Sequence, residues 1–223
     1  RDRVIISAIN KKGLANKNLK NLKFYKMDAR LEEDHIRIVE LGIKWNKTLD
    51  CYINCAGISS WKPLEKVDND FFYKLIDTNL KGVIWGCKSS YKKLKSGGSI
   101  INISSIASKR GSKNNSIYCA SKFAVNGVTQ SLAKEFGKKN IRVNAVCPVN
   151  ILTDGLKTAF KSKYSPIGKK NIEKYLKDFI LNQSALQKIP NKKDVGELCY
   201  FLASNNSKFL TGQCINIDGG VLP

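Results

Sequence analysis

Short apolar runs alternate with longer helical segments along this chain, and no other feature of the sequence restricts its fold as much. Apolar clusters predict strands at 4–9, 23–27, 49–54, 99–103, 141–147 and 214–217. Helical spacing predicts helices at 31–45, 68–95, 116–137 and 192–203, with a short helix at 13–20. Because helices of this kind join parallel strands, the pattern predicts an α/β fold with a doubly wound parallel sheet. The continuous run at 4–9 predicts a strand buried on both faces.

The ends of three successive predicted strands are followed by residues suited to bind a ligand. These residues are Asn54, the pair Ser104 and Ser105, and Pro148. Ligands of open parallel sheets bind beyond the carboxyl ends of the strands. We therefore expect a binding site at this edge of the sheet, whatever the protein is.

Length and composition predict one domain without a membrane span or a metal. The 223 residues are 42% hydrophobic, and no apolar run approaches the roughly 20 residues that cross a bilayer. The seven cysteines are scattered without a CxxC pair, and the only histidine is His35. These features favour reduced cysteines in a cytoplasmic protein with no metal site. The only methionine is Met27, so we expect the chain to begin inside a longer protein.

The formal charge of +21 raises the possibility of a nucleic-acid partner. The lysines, however, occur as scattered pairs such as Lys11 with Lys12 and Lys92 with Lys93, not as one stripe interleaved with aromatic residues. A lysine-rich solvated surface explains this distribution better. We therefore predict no nucleic-acid partner. A basic nucleic-acid-binding domain remains an alternative, ranked behind the two hypotheses given below.

Tyr118 and Lys122 are four residues apart near the start of a predicted helix, so their side chains share one face. A second pair with this spacing, Tyr91 and Lys95, lies at the predicted end of a helix, where we expect it to be solvated. Only the first pair follows a strand and two serines, and this context favours a site over a chance match. A cation about 4 Å from a tyrosine lowers its pKa by roughly 3 units, so Lys122 is expected to lower the pKa of Tyr118.

Motifs in a fixed order surround this pair. They are Asn54-Cys55-Ala56-Gly57, Thr78-Asn79-Leu80-Lys81-Gly82, Asn102-Ile103-Ser104-Ser105, Tyr118-Cys119-Ala120-Ser121-Lys122, Arg142-Val143-Asn144-Ala145-Val146-Cys147-Pro148, Leu210-Thr211-Gly212-Gln213 and Asp218-Gly219-Gly220. Over essentially its whole length the chain resembles the short-chain dehydrogenase/reductase family, the 3-oxoacyl-carrier-protein-reductase-like group in particular. The resemblance implies a Rossmann fold and an enzyme that uses NADP or NAD to transfer hydride between nicotinamide and a small carbonyl or alcohol substrate.

The family roles then fall on four residues. Tyr118 resembles the general acid and base, and Lys122 the residue that supports it and holds the nicotinamide ribose. Ser105 resembles the residue that hydrogen-bonds the substrate oxygen. Asn79 resembles the helix residue that positions a water for proton relay to Lys122.

The resemblance also implies cofactor contacts. Besides Tyr118 and Lys122, they are Ala8 near the end of the first predicted strand, Asp28 and Ala29 at the adenine, Asn54, Ala56 and Gly57 under the ribose, and Pro148, Ile151 and Thr153 at the carboxamide and pyrophosphate. Members that prefer NAD carry an acidic residue where this chain has Ala8. Its absence, with Lys11 and Lys12 nearby, favours NADP.

Two departures from the family pattern bear on the cofactor. Pro148 is followed by Val149, where glycine is usual, and valine does not adopt positive φ cheaply. Either the loop avoids that conformation or nicotinamide binding is altered. The family's first strand and glycine-rich loop should precede Arg1, so residues 1–223 are expected to form one incomplete domain, with a substrate lid at about 152–187. Between the strands at Val4 and Leu49 we expect an empty place or an unusual pairing.

Two further expectations concern assembly and the alternative to an enzyme. Small residues on the helices at 68–95 and 116–137, namely Gly82, Gly86, Ala124 and Gly127, are expected to allow close packing between subunits of a homotetramer, since these helices form the main contact in the family. The second hypothesis is a catalytically silent fragment or a structural subunit of an oligomer of this family.

Overall fold

A computed structural model describes residues 3–9, 20–168 and 170–222, and strands alternate with helices along these residues. The strands are β1 Val4–Ala8, β2 Leu22–Lys26, β3 Leu49–Asn54, β4 Leu94–Ile103, β5 Arg142–Pro148 and β6 Cys214–Ile217. The α-helices are α1 Glu32–Asn46, α2 Asn69–Ile76, α3 Gly82–Tyr91, α4 Ser116–Phe136, α5 Asp154–Phe160, α6 Ile172–Gln183 and α7 Lys192–Ala203. The predicted helix at 13–20 lies outside the described residues except for residue 20.

All strand pairs are parallel, and they form two sheets. One contains β1 and β2, and the other has the order β3-β4-β5-β6. This confirms the predicted α/β fold. Among the described residues β1 pairs only with β2 and β3 only with β4, so of the two expected arrangements between the strands at Val4 and Leu49 the structure has the empty place and not an unusual pairing.

The unpaired edges leave apolar side chains in solvent. Val4 is 47% exposed, Ile9 59% and Ile53 44%. The prediction that 4–9 forms a strand buried on both faces was therefore wrong. A parallel strand is buried only when neighbouring strands and helices cover it, and within the described part of the chain β1 has a neighbouring strand on one side alone.

The larger sheet carries a helix layer on each face. Successive residues of β4 point to opposite sides, so Ile100 contacts the α3 and α4 layer while Ile101 contacts the α7 layer. Both residues are fully buried, as are Val143 and Val146 of β5. The core thus lies on both sides of β4 and β5, the strands whose ends support the candidate site.

The helix predicted at 68–95 is interrupted. It begins as expected, with the Asp68 side chain accepting from the Phe71 N–H at 2.8 Å, but a π-helical turn at Asp77–Lys81 separates α2 from α3. β4 starts at Leu94, five residues before the strand predicted at 99–103, and runs through Gly97 and Gly98. Gly97 has φ +82° and donates its N–H to the Asn140 carbonyl at 2.9 Å, so this glycine bends the strand.

The segment at about 152–187, which was expected to form a substrate lid, contains α5 and α6. Thr153 and Asn171 cap these helices with their side chains. The two helices enclose an aromatic cluster in which Trp61 stacks on Phe160 at 5.4 Å and Phe160 meets Tyr175 edge-on at 5.4 Å. This layer covers the end of the sheet where the site lies.

Contacts within the same chain explain why two of the positions assigned to subunit packing are glycine. A Cβ at Gly82 would lie 2.7 Å from the Ala29 carbonyl oxygen, and one at Gly86 would lie 1.9 Å from Asn54 Oδ1. Both glycines therefore face the interior of the same chain, and assigning them to an intersubunit surface was wrong. Gly127 has open space beside it.

No helix within 3–9, 20–168 and 170–222 is long and apolar enough to cross a bilayer. All seven cysteines are free thiols. In the same described residues, no three His, Cys, Asp or Glu side chains gather as a metal site would need.

Candidate active site

A cleft of about 1250 Å³ opens at the carboxyl ends of β3, β4 and β5. The strand order places these ends side by side, so residues from distant parts of the chain meet there. Seven of the predicted site residues line the cleft: Gly57, Ser105, Tyr118, Lys122, Pro148, Ile151 and Thr153.

Tyr118 is half-buried in the first turn of α4. Burial raises the pKa of its phenol, and a hydrogen bond with Ser105 opposes that rise. Ser105 in turn accepts from the Ala107 N–H at 3.1 Å, which fixes the serine at the start of a short 3-10 turn. The phenol is therefore a protonated donor beside a second hydroxyl at neutral pH.

Lys122 lies one helical turn further along and is only 4% exposed. Its Nζ donates to the Ile103 carbonyl at 2.8 Å and is 5.9 Å from the centre of the Tyr118 ring. Burial lowers the pKa of this amine to about 8. The expected lowering of the Tyr118 pKa by Lys122 is not found here, because burial dominates both groups and the ammonium is turned to a carbonyl.

Gly57 forms the surface between the cleft and two buried polar groups. A Cβ at this position would lie 3.4 Å from Lys122 Nζ and 3.5 Å from Asn79 Oδ1. A longer side chain would cover the ammonium, so glycine keeps Lys122 accessible.

Asn79 is fully buried within the π-helical turn. Its Oδ1 accepts from the Ile58 N–H at 2.8 Å, and its Nδ2 donates to the Ile58 carbonyl at 2.9 Å and to Ser121 Oγ at 3.2 Å. The amide thus joins the loop after β3 to α4, which carries Tyr118 and Lys122. π-helical turns often occur at functional sites. That Asn79 also orders a relay water stays a prediction.

Asn54 points away from the cleft. Its Nδ2 donates to Asn102 Oδ1 at 2.9 Å, and Asn102 donates to Thr129 Oγ1 at 2.9 Å. This buried polar network couples β3, β4 and α4. Any contact between Asn54 and a ligand would therefore use the main chain. The sequence contains one indication of this network, a polar Asn102 within a predicted apolar strand. The sequence analysis did not interpret it as a buried hydrogen-bond partner.

The predicted adenine contacts lie at the end of β2, away from the cleft lining. Arg30 holds the Asp28 carboxylate in an ion pair of 2.6 Å, and its hydrogen bonds lower the pKa of that carboxyl. The Ala29 carbonyl faces buried His35, whose Nε2 lies 2.9 Å away, while His35 Nδ1 lies 2.8 Å from the Tyr52 hydroxyl. Sequence reasoning did not anticipate that His35 and Tyr52 support this turn.

Ala8 and Ala56 are both exposed. The Ala8 carbonyl accepts from the Met27 N–H at 3.0 Å, so Ala8 ends β1 beside the Asp28 turn. Lys11 and Lys12, which favoured NADP, lie outside the described residues.

The loop after β5 avoids positive φ at Val149. Val149 is 1% exposed and lies in an apolar cluster with Ile106 and Val221, while the next residue, Asn150, takes φ +41°. Asparagine tolerates this region better than a β-branched residue. Of the two alternatives for the Pro148-Val149 departure, the first is confirmed.

Comparisons with known proteins agree with this geometry. The sequence profile of a family described as enoyl-(acyl carrier protein) reductase matches residues 2–222. A diacetyl reductase ((S)-acetoin forming) of Staphylococcus aureus is 33% identical over 172 residues, which are 76% of this chain and 66% of that protein.

Solved structures of similar proteins have the same fold. The ligand-free aldohexose dehydrogenase of Thermoplasma acidophilum superposes with a TM-score of 0.86 at 29% identity, over 98% of this chain and 84% of that one. A short chain dehydrogenase family protein of Francisella tularensis gives 0.85 at 31% identity, over 98% and 87%.

The chain belongs to the short-chain dehydrogenase/reductase family, and its sheet is of the Rossmann type. The relatives reported above are named as reductases and dehydrogenases, and this chain spans 66% of the length of the diacetyl reductase.

Proposed function

We propose that the natural protein reduces a carbonyl, or oxidises the corresponding alcohol, with Tyr118 as the general acid and base. The observation that supports this most is that Tyr118, Ser105 and Lys122 meet in one cleft with Gly57 and the loop after β5. Gly57 follows β3, Ser105 follows β4, and Tyr118 and Lys122 lie on α4. A purely structural role would not require these side chains to meet in one cleft.

The residues present fit the nicotinamide half of a dinucleotide. Gly57 leaves Lys122 accessible from the cleft, and the segment from Pro148 to Thr153 forms the wall beside it. When bound, the cofactor would supply or accept the hydride. Lys122, Gly57 and the loop residues Pro148, Ile151 and Thr153 would hold its ribose and carboxamide, and the main chain at Asn54 and Ala56 would lie beneath it.

The chain's own residues then handle the proton and the substrate oxygen. The Tyr118 phenol, kept protonated by burial, donates its proton to the substrate oxygen during reduction and takes it back in the reverse direction. Ser105, hydrogen-bonded to Tyr118, donates to the same oxygen as negative charge develops there. Asn79 fixes the loop after β3 against α4, and we propose that it also orders a relay water beside Lys122.

We propose a preference for NADP. The exposed end of β1 at Ala8 offers no carboxylate to repel a 2′-phosphate, and the Asp28 carboxylate beyond the end of β2 is already paired with Arg30. Asp28 and Ala29 would form the adenine side of that site.

The remaining proposals concern the whole protein. We propose that residues 1–223 form one incomplete cofactor-binding domain, with about 152–187 as the lid over the substrate. The protein acts in the cytoplasm as a homotetramer, with the exposed side of α4 around Gly127 as a contact surface. The named substrates of its relatives, diacetyl and an aldohexose, are small carbonyl or alcohol compounds and support a small-molecule substrate here.

One observation favours the second candidate, a catalytically silent chain or structural subunit. The edges of β1 and β3 are unpaired among the described residues, and the cofactor pyrophosphate of the family binds beside a strand at that place. The 223 residues alone would then keep the family arrangement without turnover.

Replacing Tyr118 by phenylalanine tests the proposed chemistry. In the natural protein we expect Tyr118→Phe to lower kcat by about a hundredfold or more, because the proton donor is lost, while cofactor affinity stays within a few fold. Initial rates on a panel of ketones and acyl thioesters, and nicotinamide fluorescence on titration, measure the two effects. Turnover within tenfold of wild type would remove Tyr118 from its role.

Tyr91→Phe is the matched control. Tyr91 has the same spacing to a lysine, but its ring stacks on Phe136 at 3.8 Å and Lys95 pairs with Asp50. The expectation that this pair is solvated was wrong for Tyr91, whose ring packs against the core. Phenylalanine preserves that stacking, so activity should be unchanged.

A further inference from the structure

One arginine faces the cleft without an acidic partner. Arg110 lies five residues after Ser105, and its Nη2 donates to Gln183 Oε1 at 2.7 Å. Gln183 is the last residue of α6, so the bond joins the β4–α4 connection to the lid. Among the residues that the structure describes, no carboxylate forms an ion pair with Arg110.

The general lysine excess does not explain this arginine. The chain has only six arginines, and the other four that are described donate to carbonyl or carboxylate oxygens. They are Arg3, Arg30, Arg37 and Arg142. A guanidinium has five N–H donors in a planar fork that matches a carboxylate, so one bond to a neutral amide leaves most of its capacity unused.

Two further donors line the cleft together with Arg110. Burial raises the pKa of the Tyr175 phenol, which keeps it protonated at neutral pH, and the charge of Arg110 opposes that rise. Gln183 accepts from Arg110 through its Oε1, which leaves its Nε2 hydrogens available to a ligand. All three residues line the cleft.

The acidic residues of the cleft do not compete for Arg110. Asp178 is paired with Lys170, and Asp154 lies in the first turn of α5. Lys74, Lys113 and Lys122 also line the cleft, but at Arg110 an entering anion finds a planar guanidinium bonded to the Gln183 amide, with the Tyr175 phenol in the same lining. This set suits a carboxylate, which accepts in one plane with two oxygens.

We propose that the substrate of this site carries a carboxylate in addition to the carbonyl or alcohol that reacts, and that Arg110 binds it with Tyr175 and Gln183. The inference rests on the proposed function and narrows the substrate class to oxo acids and hydroxy acids. Arg110 is then a specificity-determining residue that contacts the part of the substrate away from Tyr118.

Binding of a matched ligand pair to the 223-residue chain tests the proposal without turnover. The probes are 4-oxopentanoate and its primary amide, which differ only in the charged group, measured by saturation-transfer NMR titration. We expect the wild-type chain to bind the acid about tenfold or more tightly than the amide, as is typical for a hydrogen bond to a charged group. Arg110→Gln should abolish that preference and leave the affinity for the amide unchanged.

Lys113→Gln is the matched control, since Lys113 is a cation on the same connection that also lines the cleft. It should retain the preference for the acid. Equal affinity of wild type for both ligands, equal losses in the two variants, or loss of amide binding in Arg110→Gln would each overturn the proposal. The last result would assign Arg110 to holding α6 in place.

Failure of the carboxylate proposal can be distinguished from failure of the proposed hydride-transfer function. Tyr118→Phe in the 223-residue chain should keep the preference for the acid, because the phenol of Tyr118 is not part of the anion site. A retained preference with unaffected turnover of Tyr118→Phe in the natural protein would refute the hydride-transfer role alone. Equal binding of the acid and the amide by the wild-type chain, together with the expected loss of turnover in Tyr118→Phe, would refute only the carboxylate proposal.

Discussion

Burial sets the protonation states of the two ionisable side chains beside the candidate reaction centre. It raises the pKa of the Tyr118 phenol and lowers the pKa of the Lys122 amine to about 8, so both shifts favour the neutral form. Since Lys122 Nζ donates to the Ile103 carbonyl, the amine is held in place by hydrogen bonding more than by charge. This arrangement suits a site whose charge distribution changes when a cationic nicotinamide binds.

The lowered pKa of Lys122 predicts a stability cost at neutral pH. In the unfolded chain a lysine titrates at its ordinary value of 10.5, so the buried ammonium destabilises the fold fully below pH 8 and the penalty disappears as the pH rises toward 10.5. The difference corresponds to about 3 kcal/mol, of which the hydrogen bond to Ile103 offsets about 1–2 kcal/mol. We expect Lys122→Met to raise the free energy of unfolding at pH 7 by about 1–2 kcal/mol and to show less gain at pH 10.

Urea denaturation at several pH values measures this effect, and NMR of 13C-methylated lysines locates the titration directly. One resonance should titrate near pH 8 and disappear in Lys122→Met. Lys134→Met, at an exposed position of the same helix, is the control and should leave the resonance near pH 8 in place. A titration of Lys122 at the ordinary lysine value would contradict the buried placement.

Sequence reasoning located the residues of the site better than the directions of their side chains. The four-residue spacing of Tyr118 and Lys122 on one helix face is fixed by helix geometry, so their meeting with Ser105 could be foreseen. The inward direction of Asn54 could not, because it depends on Gly86, which comes from a helix 32 residues later in the chain. The support of Ala29 by His35 likewise exists only after α1 packs beside β3.

At the scale of elements, the boundaries of regular segments followed from local signals. The strand at Leu49–Asn54 and the helix at Lys192–Ala203 occur as predicted, the latter beginning with a capping box of Asn191 and Asp194. The π-helical turn within 68–95 was not foreseen, and the hydrogen bonds of Asn79 in this turn to Ile58, which lies before the helix, leave no local pattern in the sequence. α5 and α6 were missed although their capping residues, Thr153 and Asn171, were visible in the sequence.

The close contact of α3 with β3 predicts a strong effect of one methyl group. In Gly86→Ala the new Cβ would lie 1.9 Å from Asn54 Oδ1 and 2.9 Å from Tyr52 Cε1, so α3 or the Asn54 network must shift. Overpacking of this kind costs about 1–3 kcal/mol, which outweighs the roughly 1 kcal/mol that alanine contributes to a helix. We expect a lower free energy of unfolding, measured by urea denaturation.

Gly127→Ala and Gly196→Ala are matched controls in α4 and α7. A Cβ at either position meets nothing within 4 Å, so each variant should gain about 0.5–1 kcal/mol from helix propensity alone. If both controls also lower the free energy of unfolding, the loss in Gly86→Ala would reflect a general effect of alanine in these helices and not the contact with Asn54. A stable Gly86→Ala would show that Asn54 does not depend on this approach.

At the scale of the whole molecule, the residues proposed to bind the cofactor are distributed over the two sheets. The larger sheet supplies the strand ends around Tyr118 and Lys122, whereas the small sheet of β1 and β2 carries Ala8 and Asp28. α1 contacts both β1 and β3 and so links the two sheets. The exposed Ile53, the penultimate residue of β3, marks the edge where another strand would be accommodated.

This division predicts that the 223-residue chain by itself binds dinucleotide poorly. A pyrophosphate in this family relies on backbone N–H groups of a glycine-rich turn and a helix N-terminus, and residues 1–223 contain no such sequence between two strands. Lys122 and Gly57 can hold only the nicotinamide half. Calorimetry with NADPH and with NADH should therefore show no saturable binding up to about 1 mM, a concentration that leaves only interactions weaker than about 4 kcal/mol undetected.

Amide hydrogen exchange reports the same feature independently of any ligand. Each parallel strand needs a neighbour on both sides for all its N–H groups to be protected, and β3 has one only on the β4 side among the described residues. The N–H groups of β3 should therefore include rapidly exchanging members, while those of β5, which lies between β4 and β6, should be uniformly protected. Dinucleotide binding tighter than about 10 μM, together with full protection of β3, would show that both edges are covered and that the chain is a complete cofactor-binding unit.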